Sequence, residues 1–195
     1  MISREEALKF LDEKVANKNI VKHMLATEAL MDGVYEALAA AGKTDLGGSK
    51  EKWMMAGLLH DGDYSETVPV EKQGIQVAEW LRAARHEIPE DVAQTMAAHN
   101  WQNTGVEPET LMDWALFCGD SLTGLIVAAT LVLPSKKLAD VDADMVLRRF
   151  KEKAFARGTR REDIALCEEK LGIPLKEFVE ICLKAMQNIS KDLGL

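Results

Sequence analysis

The sequence predicts an all-α protein, and three observations carry that expectation. Apolar residues recur at helical spacing through most of the 195-residue chain. No stretch shows the sustained apolar–polar alternation of a strand. Helix start and stop residues sit at the ends of the periodic segments.

Taken in order, Ser3 followed by Glu6 is a capping-box signature and opens a short helix to about Val15. A longer helix is expected from about Asn19 to Ala41. Ile20, His23, Thr27, Leu30, Val34 and Leu38 line one of its sides, and Gly42 ends it. After the loop Thr44 to Gly48, a helix from Lys50 carries Trp53, Met54, Gly57, Leu58 and His60. Gly62 to Pro69 reads as a loop. Further helices are expected at Val70–Ala84, Glu90–Asn100 and Pro108–Leu133, the last closed by Pro134. The final third reads as helices near Asp142–Lys153, Arg161–Leu171 and Leu175–Lys191, with Gly172 and Pro174 marking the last break. There is no internal repeat. The expectation is one domain over residues 1–195, with a helical core at about 19–134 and a helical extension at about 135–195.

Charge narrows the function. With 24 basic and 32 acidic residues, the net charge of −8 argues against a nucleic-acid polymer or an anionic membrane as partner. Cys118, Cys167 and Cys182 form no Cys-x-x-Cys pair, so reduced thiols are expected rather than a disulfide framework or a zinc–thiolate site. The polar N-terminus lacks the apolar core of a signal peptide, which fits a cytoplasmic protein. Trp114 to Leu133 is apolar enough to suggest a membrane span, but it contains Asp120, so a buried central helix is expected instead.

Four residues stand out against this apolar background: His23, the pair His60-Asp61, and Asp120. A buried charge without a partner is very costly, and one divalent cation satisfies all four groups together. His60 and Asp61 close the hydrophobic run Met54 to Leu59, and Asp120 lies between Phe117-Cys118-Gly119 and Leu122-Thr123-Gly124. Two nitrogens and two oxygens suit manganese, iron, cobalt, nickel or zinc better than calcium.

The ordered set His23…His60-Asp61…Asp120 resembles the signature of the HD superfamily of metal-dependent phosphohydrolases. The likeness extends through Trp53 to Tyr64 and through Asp120 to Ile126, and spans about Ile20 to Pro134. It implies an HD-type helical bundle, with these four residues as ligands of one metal, and hydrolysis of a phosphate ester or anhydride. Two-metal members of that superfamily carry extra histidines before the last aspartate. Here only His86 and His99 are available, and Lys72 falls roughly where one of those histidines is expected, so a mononuclear site is implied.

The expected chemistry is attack of a metal-activated water on the phosphorus of a small phosphorylated substrate or nucleotide. Besides Asp61, the candidate catalytic residues are Asp63, to orient water or shuttle a proton, Lys72, to stabilise developing charge, and His99, to contact phosphate or act as an acid. The basic stretch Arg148 to Arg161 offers Arg157 and Arg160 as phosphate contacts. A second reading uses the same ligands, a metal-binding regulatory or interaction protein without turnover; a third, an oxygenase on a related two-iron arrangement, needs more ligands than this chain plainly offers.

Overall fold

A computed structural model describes residues 1–195. The chain is all-α and contains no strand. The Ser3–Glu6 capping box starts α1 (Arg4–Lys14), and the Asn17 side chain accepts from the Asn19 backbone at the start of α2 (Lys18–Ala40). Then come α3 (Lys50–Leu59), α4 (Gln76–Ala83), α5 (Glu90–Ala98), the short α6 (Trp101–Thr104) and α7 (Leu111–Leu131). The last third contains α8 (Ala143–Lys151), α9 (Arg161–Ala165), α10 (Cys167–Leu171), α11 (Leu175–Asn188) and α12 (Ser190–Leu193).

Several expected boundaries shift, each for a local reason. The helix expected from Val70 is instead a single 3₁₀ turn at Val70–Lys72, with α4 starting only at Gln76. Gly74 interrupts it with a φ of +91° that a side chain disfavours. The backbone N–H groups of Gly74 and Val77 turn toward the Asp63 carboxylate. The central helix starts at Leu111 rather than Pro108, because Thr110 and Asp113 form a second capping box. Asp142 caps α8 through the Met145 N–H instead of lying within it. The α5 helix stops at Ala98, and the added α6 closes on the left-handed Gly105. The stretch Arg161–Leu171 divides into α9 and α10, and the last expected helix divides into α11 and α12.

Two apolar clusters hold the helices together. In the larger, Leu30, Met31 and Val34 of α2 and Leu116, Phe117 and Leu122 of α7 pack with Phe178, Val179, Cys182 and Met186 of α11. The smaller joins Phe10 and Leu11 of α1 with Leu58 and Leu59 of α3, Val77 and Leu81 of α4, and Val92 and Met96 of α5. Leu25 of α2 touches both. Helix α7 is long and apolar enough to cross a membrane, yet 61% of its most apolar window is buried inside the protein. It is the central helix of the larger cluster.

Candidate metal centre

The site forms where the two clusters meet. His23 lies in the second turn of α2, His60 is the C-terminal cap of α3 with Asp61 in the turn beyond it, and Asp120 lies within α7. A close approach of α2 and α3 brings the first two together. Gly57 makes this possible: a Cβ there would stand 2.8 Å from the Thr27 carbonyl oxygen and 2.9 Å from Met31 Cγ. A side chain at that position would drive the helices, and with them the imidazoles, apart.

His23 Nε2 and His60 Nε2 are 3.2 Å apart. Asp120 Oδ1 is 2.9 Å from the first and 3.6 Å from the second. Asp61 Oδ2 is 3.6 Å from each. Adjacent donors around one ion at a bond length of about 2.1 Å stand about 3.0–3.4 Å apart, so these separations fit one shared cation. The donor atoms of His23, His60 and Asp61 all lie within 4.8 Å of one another and could hold a metal ion.

Hydrogen bonds fix which nitrogen each ring presents. His60 Nδ1 donates to the Gly57 carbonyl at 2.9 Å, and His99 Nδ1 donates to the Met96 carbonyl. Thr123 gives its proton to the Asp120 carbonyl at 2.8 Å and accepts from His23 Nδ1 at 2.9 Å. Each ring therefore turns its Nε2 lone pair inward. This is how second-layer hydrogen bonds orient metal-binding imidazoles. In their neutral forms, His23 and His60 point lone pair at lone pair, an arrangement that calls for a cation between them.

The electrostatics agree. Burial disfavours charge on His23, yet the hydrogen bond and charge of Asp120, with Asp61 beyond, raise its pKa above the ordinary 6.5. Burial likewise opposes charge on His99, and Asp61 outweighs it. Burial would raise Asp61 and Asp120. The surrounding imidazoles instead hold Asp61 below the ordinary 3.8 and Asp120 well below it.

His99 joins the cluster as a fifth member. It caps α5, its ring centroid lies 4.8 Å from that of His60, and its Nε2 is 3.5 Å from Asp61 Oδ1. Arg160 also reaches the site, with Nη2 3.7 Å from Asp120 Oδ2. Asp63, expected to handle water or protons, is 2% exposed and uses its oxygens to accept from the Gly74 and Val77 N–H groups. Burial raises its pKa, the two backbone donors oppose the rise, and Asp61 adds to it. Lys72 is exposed on the 3₁₀ turn and Arg157 is exposed on the loop before α9. Neither ion-pairs with the cluster. His86 lines a cleft of about 520 Å³ formed by α1 and α4.

Sequence reasoning missed Thr123 as the His23 acceptor, although its hydroxyl one turn after Asp120 on an apolar helix was a visible signal. No protein-family model, curated protein or solved structure matches this chain.

Proposed function

We propose that this chain is a metal-dependent phosphohydrolase of the HD type, acting on a small phosphate ester or nucleotide. The observation that carries the reading is the 3.2 Å approach of His23 Nε2 and His60 Nε2, flanked by two carboxylates. His23, His60, Asp61 and Asp120 would hold a divalent ion, which would supply Lewis acidity for activating water and polarising a phosphoryl group.

The residues divide the remaining work. His23 and His60 would supply neutral nitrogens, and Asp61 and Asp120 would offset the two positive charges. Mixed nitrogen and oxygen donors favour manganese, iron, cobalt, nickel or zinc. His99 Nε2 stands beside Asp61 at the edge of the cluster, where the Asp61 hydrogen bond and charge outweigh burial and raise its pKa. In this reading a protonated His99 would give its proton to the departing oxygen as water forms the new P–O bond and the ester P–O bond breaks. A closed structural metal site needs no access. Here the His23, Asp61 and Asp120 side chains keep 22%, 15% and 17% exposure, an opening that favours turnover over a purely structural or regulatory ion.

The test is reconstitution with each candidate metal, followed by metal-to-protein stoichiometry and phosphate release from a panel of phosphate esters. Stoichiometric metal with release of phosphate supports the reading. A loaded protein that releases none from any ester overturns it.

A further inference from the structure

We infer that Arg160 binds the terminal phosphoryl group of the substrate, and that Arg161 builds the loop that aims it. This deepens the phosphohydrolase reading and rests on it.

The loop joining α8 to α9 rests Phe155 and Ala156 on the larger apolar cluster, and a single side chain gathers much of its backbone. Arg161 reaches back into it and donates Nε to the Phe150 carbonyl at 2.7 Å and Nη1 to Thr159 at 3.3 Å. Its Nη2 donates to Phe155 at 2.6 Å and to Glu152 at 3.0 Å. A guanidinium carries five N–H donors in a rigid fork, so one side chain can gather several carbonyls that a loop leaves unpaired.

The preceding residue faces the metal centre. Asp120 turns Oδ1 to the histidines and Oδ2 to Arg160, so one carboxylate stands between the histidine pair and the guanidinium. Arg160 Nε lies 2.8 Å from Asp163 Oδ2, and Nη1 donates to Gln102 Oε1 at 3.1 Å. The guanidinium carbon stands 5.9 Å from the Phe117 ring centroid. Asp163 is 5% exposed, and its Oδ2 accepts no hydrogen bond despite the nearby charge. The arginine is thus held by charge and stacking, while both η nitrogens keep hydrogens free. Its side chain is 33% exposed, so a ligand can reach it.

That geometry selects a class of ligand. A terminal phosphoryl group has three unsubstituted oxygens, enough to offer one to the metal and two to the arginine fork. A phosphodiester has only two, so it would have to share one oxygen between the metal and the arginine. Bidentate guanidinium–phosphate pairing is strong and geometrically demanding. A phosphomonoester, or the terminal phosphate of a polyphosphate, is the class that meets both contacts without sharing an oxygen.

The test uses cobalt-loaded protein, whose visible spectrum reports an intact centre. Inorganic phosphate and dimethyl phosphate are titrated calorimetrically into the wild type, R160K, R160A and R161A. Wild type should bind phosphate at least about tenfold more tightly than dimethyl phosphate. R160A should lose about tenfold or more in phosphate affinity with the cobalt spectrum unchanged, and R160K and R161A should lose part of it. Equal binding of the two anions, or R160A matching wild type within about twofold, overturns the assignment. Arg160-dependent phosphate binding without hydrolysis of any ester removes only the hydrolase reading. Hydrolysis with Arg160-independent phosphate binding removes only this one.

Discussion

His23 and Thr123, one hundred residues apart in sequence, share a 2.9 Å hydrogen bond that fixes which imidazole nitrogen faces the centre. Thr123→Val keeps the shape and removes the acceptor. Metal affinity should then fall roughly 10- to 100-fold, while Thr123→Ser should keep most of it. Competition with a chromogenic chelator measures this. Equal affinity in wild type and T123V would show that the hydroxyl does not set the ring.

Asp120→Ala removes an oxygen donor and leaves His23 without its closest counter-charge. Metal content after dialysis, read by elemental analysis, should fall to background, and phosphate release with it. A variant that still carries stoichiometric metal would remove Asp120 from the ligand set.

The centre should also give opposite pH responses with and without metal. Without metal, the raised pKa values of His23 and His99 stabilise the fold below 6.5, and this is lost as pH climbs through their higher folded values. The lowered values of Asp61 and Asp120 stabilise it above 3.8, and this is lost as pH falls through their lower folded values. The metal-free protein should therefore lose thermal stability as pH rises above 6.5. The loaded protein should gain it, because metal competes with protons for the imidazoles. Parallel melting curves in the two forms would show that the histidines do not bind the ion.

Gly57→Ala inserts a methyl group where the Thr27 carbonyl oxygen would stand only 2.8 Å away. Overpacking of this kind costs about 1–3 kcal/mol. Denaturant unfolding should show that loss, together with weaker metal binding as the His23 and His60 helices separate. Unchanged stability would mean that α2 and α3 have room to spare.

Asp63→Ala separates two roles for one carboxylate. Removing it strands the Gly74 and Val77 N–H groups, at a cost of about 1–3 kcal/mol for each group that stays buried and unpaired. A loop clamp predicts lower stability with metal stoichiometry preserved. Wild-type stability combined with lost turnover would restore Asp63 to the chemistry.

The helices and the polar residues within them were legible for the same reason. Periodicity reports which faces are buried, and a histidine or aspartate on such a face is a visible exception. His99 could be placed this way because Val92 and Met96 share its face. What depends on loop backbone was not legible. The clamp by Asp63 and the end of the expected Val70 helix both arise from the path of the chain through Gly74. Arg161 counted as one more charge in a basic run, because capture of carbonyls by a side chain leaves no mark on residue spacing.

The packing of α11 against α2, where Gly33 lets Ala185 come close, ties the tail of the chain to its beginning. A fragment ending at Pro134 would bare greasy flanks on two long rods and clump rather than dissolve. Anyone trimming this protein to a minimal version should expect the last sixty residues to be indispensable to solubility as well as to shape.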